Sequence, residues 1–210
     1  MAKLVETLRD QLPTDVFTDT EVTSLFQGSA NARYGLVKRA IANKDIIQLR
    51  RGVYSFGKRH QREPLNLYEL AQRIYSPSYV SLETALSSHG WIPEAAYTVT
   101  SVCARRSTEF ETALGLFSYT RIPSFNFVGV DRVIQGRSVY LIATPMKALL
   151  DYVFVHRVDK MGARELAASL RIEEELLRSI SRETLLQLMK SHRSKRVTRF
   201  SRLLIREMWL

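Results

Sequence analysis

With 210 residues, 45% of them apolar and 25% charged, the chain has the balance of an ordinary globular protein and enough length to bury one or two cores, which argues against disorder. No apolar run approaches the roughly 18 residues that a membrane span needs, and the start "MAKLVETLRDQL" lacks the basic, apolar and small-residue zones of a secretory leader. The single cysteine, Cys103, excludes an intramolecular disulfide and suits a reducing compartment, so a cytoplasmic protein that does not enter a membrane is expected.

In chain order, Leu4, Val5, Leu8 and Leu12 recur at helical spacing and predict a first helix over residues 3–12, stopped by Pro13. In "VFTDTEVTSLF", Thr18 or Thr20 can cap a short second helix through Leu25 and Phe26, with Gly28 ending it. Ser29 then caps a third helix, "NARYGLVKRAIANKD". Its Leu36, Val37, Ala40 and Ile41 share one face; Asn31, Gly35, Lys38 and Ala42 share the opposite one, with Tyr34 and Arg39 on the two edges. The following stretch "IIQLRRGVYSF" alternates on both sides of Arg50, Arg51 and Gly52, a hairpin whose glycine supplies the turn.

Helix, helix, turn, basic helix and hairpin is the layout of a winged helix-turn-helix, expected at residues 1–58. In that layout the third helix enters the major groove with its N-terminal residues leading, and the wing lays Arg50 and Arg51 on flanking phosphates or the minor groove. Gly35 on the outer face lets the helix backbone approach a duplex, at roughly 1 kcal/mol of helix propensity. The charge distribution agrees. Between Ser29 and Arg62 nine lysines and arginines face one acid, Asp45, and from Lys190 to Leu210 seven face Glu207 alone, whereas the whole chain carries only +10. Clustered cations suit a polyanionic partner, because neutralising phosphates releases condensed counterions.

"FGKRHQREP", residues 56–64, is polar, basic and ends in proline, which suggests a linker. A helix over 64–75 with Pro64 in its first turn follows, then a short helix in "SPSYVSLETALSSHG" capped near Ser81 and ended at Gly90. "YTVTSVCA", "GLFSYTRI", "FNFVGV" and "SVYLIA" alternate as strands, and Thr144 with Pro145 opens the helix "TPMKALLDYVF". Helices dominate from there. Residues 64–210 are therefore expected to form an α+β domain with a small antiparallel sheet and a helical C-terminus, so the chain as a whole is α+β.

The glycines form neither GxxxxGK[ST] nor GxGxxG, there is no GxSxG elbow, and no acid pairs with an acid-x-Lys strand motif, so no enzyme activity and no cofactor are expected. His60, His89, His156 and His192 have no second ligand-type residue at metal spacing, so no metal site is expected either. Cys103 lies in an apolar strand and suits a buried structural thiol. In the last helix Val197, Phe200, Leu204 and Met208 form an apolar stripe, and Lys195, Arg199, Arg202 and Arg206 a basic one. Docking by the first and solvation of the second is the simpler reading; a second patch for DNA, or for RNA, is the other.

"GLVKRAIANKDIIQLRRGVYSF", "YVSLETALSSHGWIPE", "YTVTS" and "YLIATPMKALLDYV" together resemble the AbiEi family, bacterial antitoxins of type IV toxin–antitoxin systems, over roughly residues 30–155. The resemblance implies a winged helix that represses the protein's own operon, and a C-terminal domain that counters a nucleotidyltransferase-like toxin without an obligate tight complex. It implies DNA contacts at Ser29, Asn31, Arg33, Tyr34 and Lys38, with Arg39 on the helix edge and Arg50 and Arg51 in the wing. The expected partner is double-stranded DNA carrying an inverted repeat in the chain's own promoter, met by a monomer that occupies it as two copies. The competing reading is a basic RNA-binding interaction protein without autorepression; a nuclease or transferase guided by a winged helix is a third. The arginine-rich end lies outside the resemblance.

Overall fold

Pro13 follows the first helix, α1 (Ala2–Gln11), and the computed structural model, which describes residues 2–94, 97–123 and 125–209, then turns into a strand that the spacing does not announce. This strand, β1 (Val16–Thr18), has three residues, too few for alternation to show. It leads directly into α2 (Asp19–Leu25), where Thr18 and Glu21 form a capping box: the Glu21 carboxylate accepts from the Thr18 N–H at 2.7 Å and the Thr18 hydroxyl accepts from the Glu21 N–H at 3.4 Å. Gly28, at φ +119°, makes the turn to α3 (Ala30–Ala42). Strands β2 (Ile46–Arg50) and β3 (Val53–Phe56) complete a three-stranded antiparallel sheet in the order β1-β3-β2.

Both faces of this sheet are covered. Phe17, Ile46, Tyr54 and Phe56 pack with Leu4, Val5 and Leu8 of α1, Val22 of α2 and Val37 and Ala40 of α3. Val16, Leu49 and Val53 point the other way and belong to the large core formed by the rest of the chain.

Residues 56–64, expected as a linker, are fastened to what precedes them. The Gly57 N–H donates to the Asp45 carbonyl at 2.7 Å, and a short 3-10 turn (Lys58–His60) brings Arg59 and His60 to the Asp45 carboxylate. Arg62 pairs with Asp15 at 2.6 Å. The next helix, α4 (Leu67–Ile74), starts after Pro64, because Asn66 accepts from the Tyr68 and Glu69 N–H groups as its cap.

The remaining elements are β4 (Ser78–Val80), α5 (Leu82–Ser88), β5 (Thr98–Cys103), β6 (Thr108–Thr112), β7 (Gly115–Arg121), β8 (Val130–Gln135) and β9 (Ser138–Ala143). Five helices follow: α6 (Pro145–Val155), α7 (Ala163–Ser169), α8 (Glu174–Arg178), α9 (Arg182–His192) and α10 (Lys195–Trp209). The α+β class expected from the sequence is observed, but the sheet is neither small nor purely antiparallel. It runs β6-β7-β5-β4-β9-β8, with β5–β7 and β4–β9 parallel. Alternation of side chains carries no information on strand direction, which the intervening chain decides.

Four further segments depart from the strands read in the sequence, each for a physical reason. "FNFVGV" is not a strand: Phe125 and Phe127 close over Tyr79, with ring centroids 5.5 and 6.2 Å away, and pairing begins only at Val130. The edge strand β6 is mostly polar, and β8 leaves four of its six residues exposed, Ile134 among them, so neither alternates cleanly between apolar and polar. The triplet β4 is buried on both faces and too short to alternate visibly.

Helix α4 covers one face of the large sheet, where the Tyr119 hydroxyl donates to the Ala71 carbonyl at 2.6 Å and Tyr68 meets Tyr140 edge-on. Helices α5 and α6 cover the other, through Thr100 to Thr84 and Tyr79 to Asp151. The N-terminal sheet docks on the α4 side, whereas α10 packs on α6, α7, α8 and α9. Among the described residues no helix is long and apolar enough to cross a membrane.

Candidate nucleic-acid interface

The third helix stands on a turn that its own side chains hold. Ser29 accepts from the Ala32 N–H at 3.2 Å as the helix cap, and the Arg33 guanidinium reaches back to the carbonyls of Gly28 and Phe26. Four otherwise unpaired N–H groups at a helix start need such partners, and a fixed turn fixes the angle between α2 and α3. Arg33 thus braces the turn, and only half of it is exposed.

Beyond it the helix divides as its spacing predicts. Val37 and Ala40 are buried, and Leu36 and Ile41 half-buried, against the N-terminal core. Asn31, Tyr34, Lys38 and Arg39 are exposed, and Tyr34, at 68%, is among the most exposed large apolar side chains of the protein. Gly35 lies in the same outward row, and a methyl added there would meet only the Arg39 guanidinium at 3.6 Å, so the row is open at its middle. Gly35 has an ordinary helical φ; its role is closeness, not backbone freedom.

The hairpin is tighter than expected and its two arginines part company. The register slips between Gln48 and Arg50, leaving Arg51 and Gly52 as the whole turn, with Gly52 at φ +77°. The Gly52 carbonyl accepts from the Asp19 N–H at 3.1 Å, which ties the tip to the start of α2. Tyr54 sits beside it: burial first, and the Asp19 carboxylate next, push its phenol up to about 12. Arg51 is exposed at the tip. Arg50 instead turns into the seam, where its Nε donates to the Ile74 carbonyl at the end of α4 and its Nη1 to the Arg51 carbonyl at 3.0 Å. Of the two arginines expected on a phosphate surface, only Arg51 points to solvent; Arg50 is drawn into the seam because a helix-end carbonyl competes for its guanidinium.

Of the nine cations between Ser29 and Arg62, two face acids. Arg59 pairs with Asp45, whose carboxyl is held below the usual carboxylate range by its hydrogen bonds from His60 and Arg59, and Arg62 pairs with Asp15. Lys38, Arg39, Lys44, Arg51 and Lys58 have no ion-pair partner among the described residues. Asp45 and Asp15 are thus engaged by Arg59, His60 and Arg62, and the outward row of α3 itself carries Lys38 and Arg39 with no acid. No family model matches the chain, and no curated protein matches it.

One polar cluster was not singled out by sequence reasoning. In the interior, Asp151 of α6 takes the Lys147 ammonium at 2.6 Å and the His192 Nε2 at 3.2 Å on one oxygen, and the hydroxyls of Ser81 at 2.8 Å and Tyr79 at 3.0 Å on the other. All five side chains are buried. Burial raises the Asp151 carboxyl, but the Lys147 ammonium and then His192 more than offset it, so it lies below the usual range. The signal available was Lys147 and Asp151 four residues apart on an otherwise apolar helix; His192 and Tyr79 could come only from tertiary packing. His89, expected at a helix end, is the C-cap of α5, with its Nε2 at 2.9 Å from the Ala143 carbonyl. Cys103 is fully buried, and burial pushes its thiol up.

Proposed function

We propose that the chain is a DNA-binding transcriptional regulator of the winged helix-turn-helix kind and, on its resemblance to the AbiEi family, an antitoxin of a type IV system that represses its own operon. The observation that carries the DNA-binding reading is the outward, acid-free row Asn31, Tyr34, Lys38 and Arg39 on a helix braced at its N-terminus. The order α1-β1-α2-α3-β2-β3, with its three-stranded β1-β3-β2 sheet, supports the same reading, since the winged arrangement needs a sheet behind the reading helix and a hairpin at its side. Asn31 and Lys38 are of the types that read adenine and guanine edges, Ser29 and Arg51 of the types that hold phosphates, and Arg33 orients the helix.

One such unit reads few base pairs, so adequate discrimination against a genome calls for two copies on an inverted repeat, half-sites spaced by whole helical turns. The protein acts in the cytoplasm as a monomer that doubles on its promoter, and residues beyond 64 counter the toxin. A gel shift with the chain's own promoter tests this. Two stepwise, cooperative complexes abolished by Asn31→Ala/Tyr34→Ala/Lys38→Ala are expected. Binding that survives the triple substitution would overturn the assignment of α3. Rescue of cells expressing the neighbouring gene tests the antitoxin reading, and its failure leaves promoter binding standing.

A further inference from the structure

The second basic cluster lies where it cannot extend the first. Helix α10 buries Val197, Phe200, Ser201, Leu204, Ile205 and Met208 against its neighbouring helices and turns Lys195, Arg199, Arg202 and Arg206 outward. At 100° per residue these four fall within about 60° of one another, and at 1.5 Å per residue they extend over about 16.5 Å. With Thr198 and Leu203 they form one open face of the helix.

The acids near the row are occupied. Asp159 binds Arg196 through both oxygens, at 2.7 and 3.0 Å, and Glu207 turns to the start of α7, accepting from the Arg164 N–H at 2.9 Å. Among the described residues none of the four outward cations makes a close ion pair or hydrogen bond, and Arg199 alone feels a nearby carboxylate, that of Asp159, which Arg196 already binds. A helix that only needed solubility would carry mixed signs on such a face. Moreover, α10 packs behind α6, on the face of the six-stranded sheet opposite to the one on which the N-terminal unit docks. The α3 row and the α10 row are thus separate surfaces.

We propose that the α10 row is a second binding site, for a single strand of nucleic acid held by its phosphates. Its occupant is set by charge and shape. Its outward charged side chains are three arginines and a lysine with no amide among them, a set that holds phosphates by charge. Its cations follow one another at about 4.5–6 Å along a straight line, as the helical rise dictates, which follows one extended strand better than a duplex whose strands wind away. The large exposed apolar side chains lie on other elements, so the row has no stacking platform, and RNA and DNA strands should bind alike whatever their bases.

The test uses the full chain, a labelled 16-nucleotide RNA, the DNA strand of the same sequence, a random DNA duplex and the promoter duplex. Lys195→Gln/Arg199→Gln/Arg202→Gln/Arg206→Gln is expected to lose about tenfold or more in affinity for both single strands, with the salt slope shallower by about 3, while keeping promoter binding. Asn31→Ala/Tyr34→Ala/Lys38→Ala is expected to do the reverse, so failure here is distinguishable from failure of the promoter reading. Should the fourfold variant not fold, photo-crosslinking of the wild type to the RNA reports instead, with peptides from residues 195–206 expected. An unchanged salt slope, crosslinks confined to α3, displacement of the strand by saturating promoter, or equal competition by the random duplex would each overturn the proposal.

Discussion

Asp151 shows how one buried carboxylate ties together three segments remote in sequence: β4 with the residue after it, α6, and the end of α9. Its partners hold its carboxyl below the unfolded value of about 3.9. A depressed carboxyl contributes stability that is fully present above the unfolded value and lost as pH falls through the folded one. Lys147→Met removes the largest favourable charge and leaves the carboxylate buried, a change that costs about 3–5 kcal/mol at neutral pH. Urea unfolding at pH 7 and at pH 3.5 should show this deficit shrinking in acid, where the variant's carboxyl, buried without the ammonium, takes up a proton and the unpaired charge disappears. A deficit independent of pH would mean that packing, not charge, is what Lys147 supplies. Gly129, at φ +75°, lies against the same cluster: a Cβ would overlap Leu188 and crowd Lys147. Gly129→Ala is expected to destabilise by about 1–3 kcal/mol, visible as a lowered urea midpoint with an unchanged m-value.

On the scale of elements, α3 and the hairpin make separable predictions. Gly35→Ala adds a methyl that meets only the Arg39 guanidinium. It should raise stability by up to about 1 kcal/mol through helix propensity yet weaken promoter binding, since in the proposed docking the methyl would stand between helix and duplex. Stability and affinity moving together would place Gly35 off the DNA. The two hairpin arginines should separate likewise. Arg51→Ala is expected to make the salt slope of DNA binding shallower by about 1, whereas Arg50→Ala should leave the slope unchanged and cost about 1–3 kcal/mol of stability by freeing the Ile74 carbonyl. Melting curves beside fluorescence anisotropy titrations would show both. Most of these elements were legible in the sequence because their cues are local: Pro13, the Ser29 cap, the apolar face of α3 and the Thr144–Pro145 start each act within one or two turns. The strands β1 and β4 were not, being three residues each, nor were β6 and β8, edge strands without a clean alternation.

For the molecule as a whole, the seam decides how its parts behave. Val16, Leu49 and Val53 place the N-terminal sheet in the large core, and Arg59, His60 and Arg62 hold the connecting segment down. The chain is therefore expected to unfold in one cooperative transition by calorimetry, and Leu49→Asp, which buries an unpaired charge in that seam, to split it into two. A wild type that already melts in two steps would show that the seam contributes little. The sequence by itself determined the α+β class, the first three helices with the Ser29 cap, the Thr144–Pro145 start of α6, a hairpin around Gly52, the outward row of α3 and the two basic clusters, since all of these follow from residues within a few positions of one another. Only the tertiary structure decided that Arg50 belongs to the seam, that the six-stranded sheet is mixed, that Asp151 gathers Lys147, His192, Tyr79 and Ser81, and that the two basic rows lie on opposite sides of a sheet. Each of these is a meeting of segments far apart in the chain, governed by which carbonyls, charges and apolar faces remain unsatisfied once the local structure has formed, and no local pattern encodes that outcome.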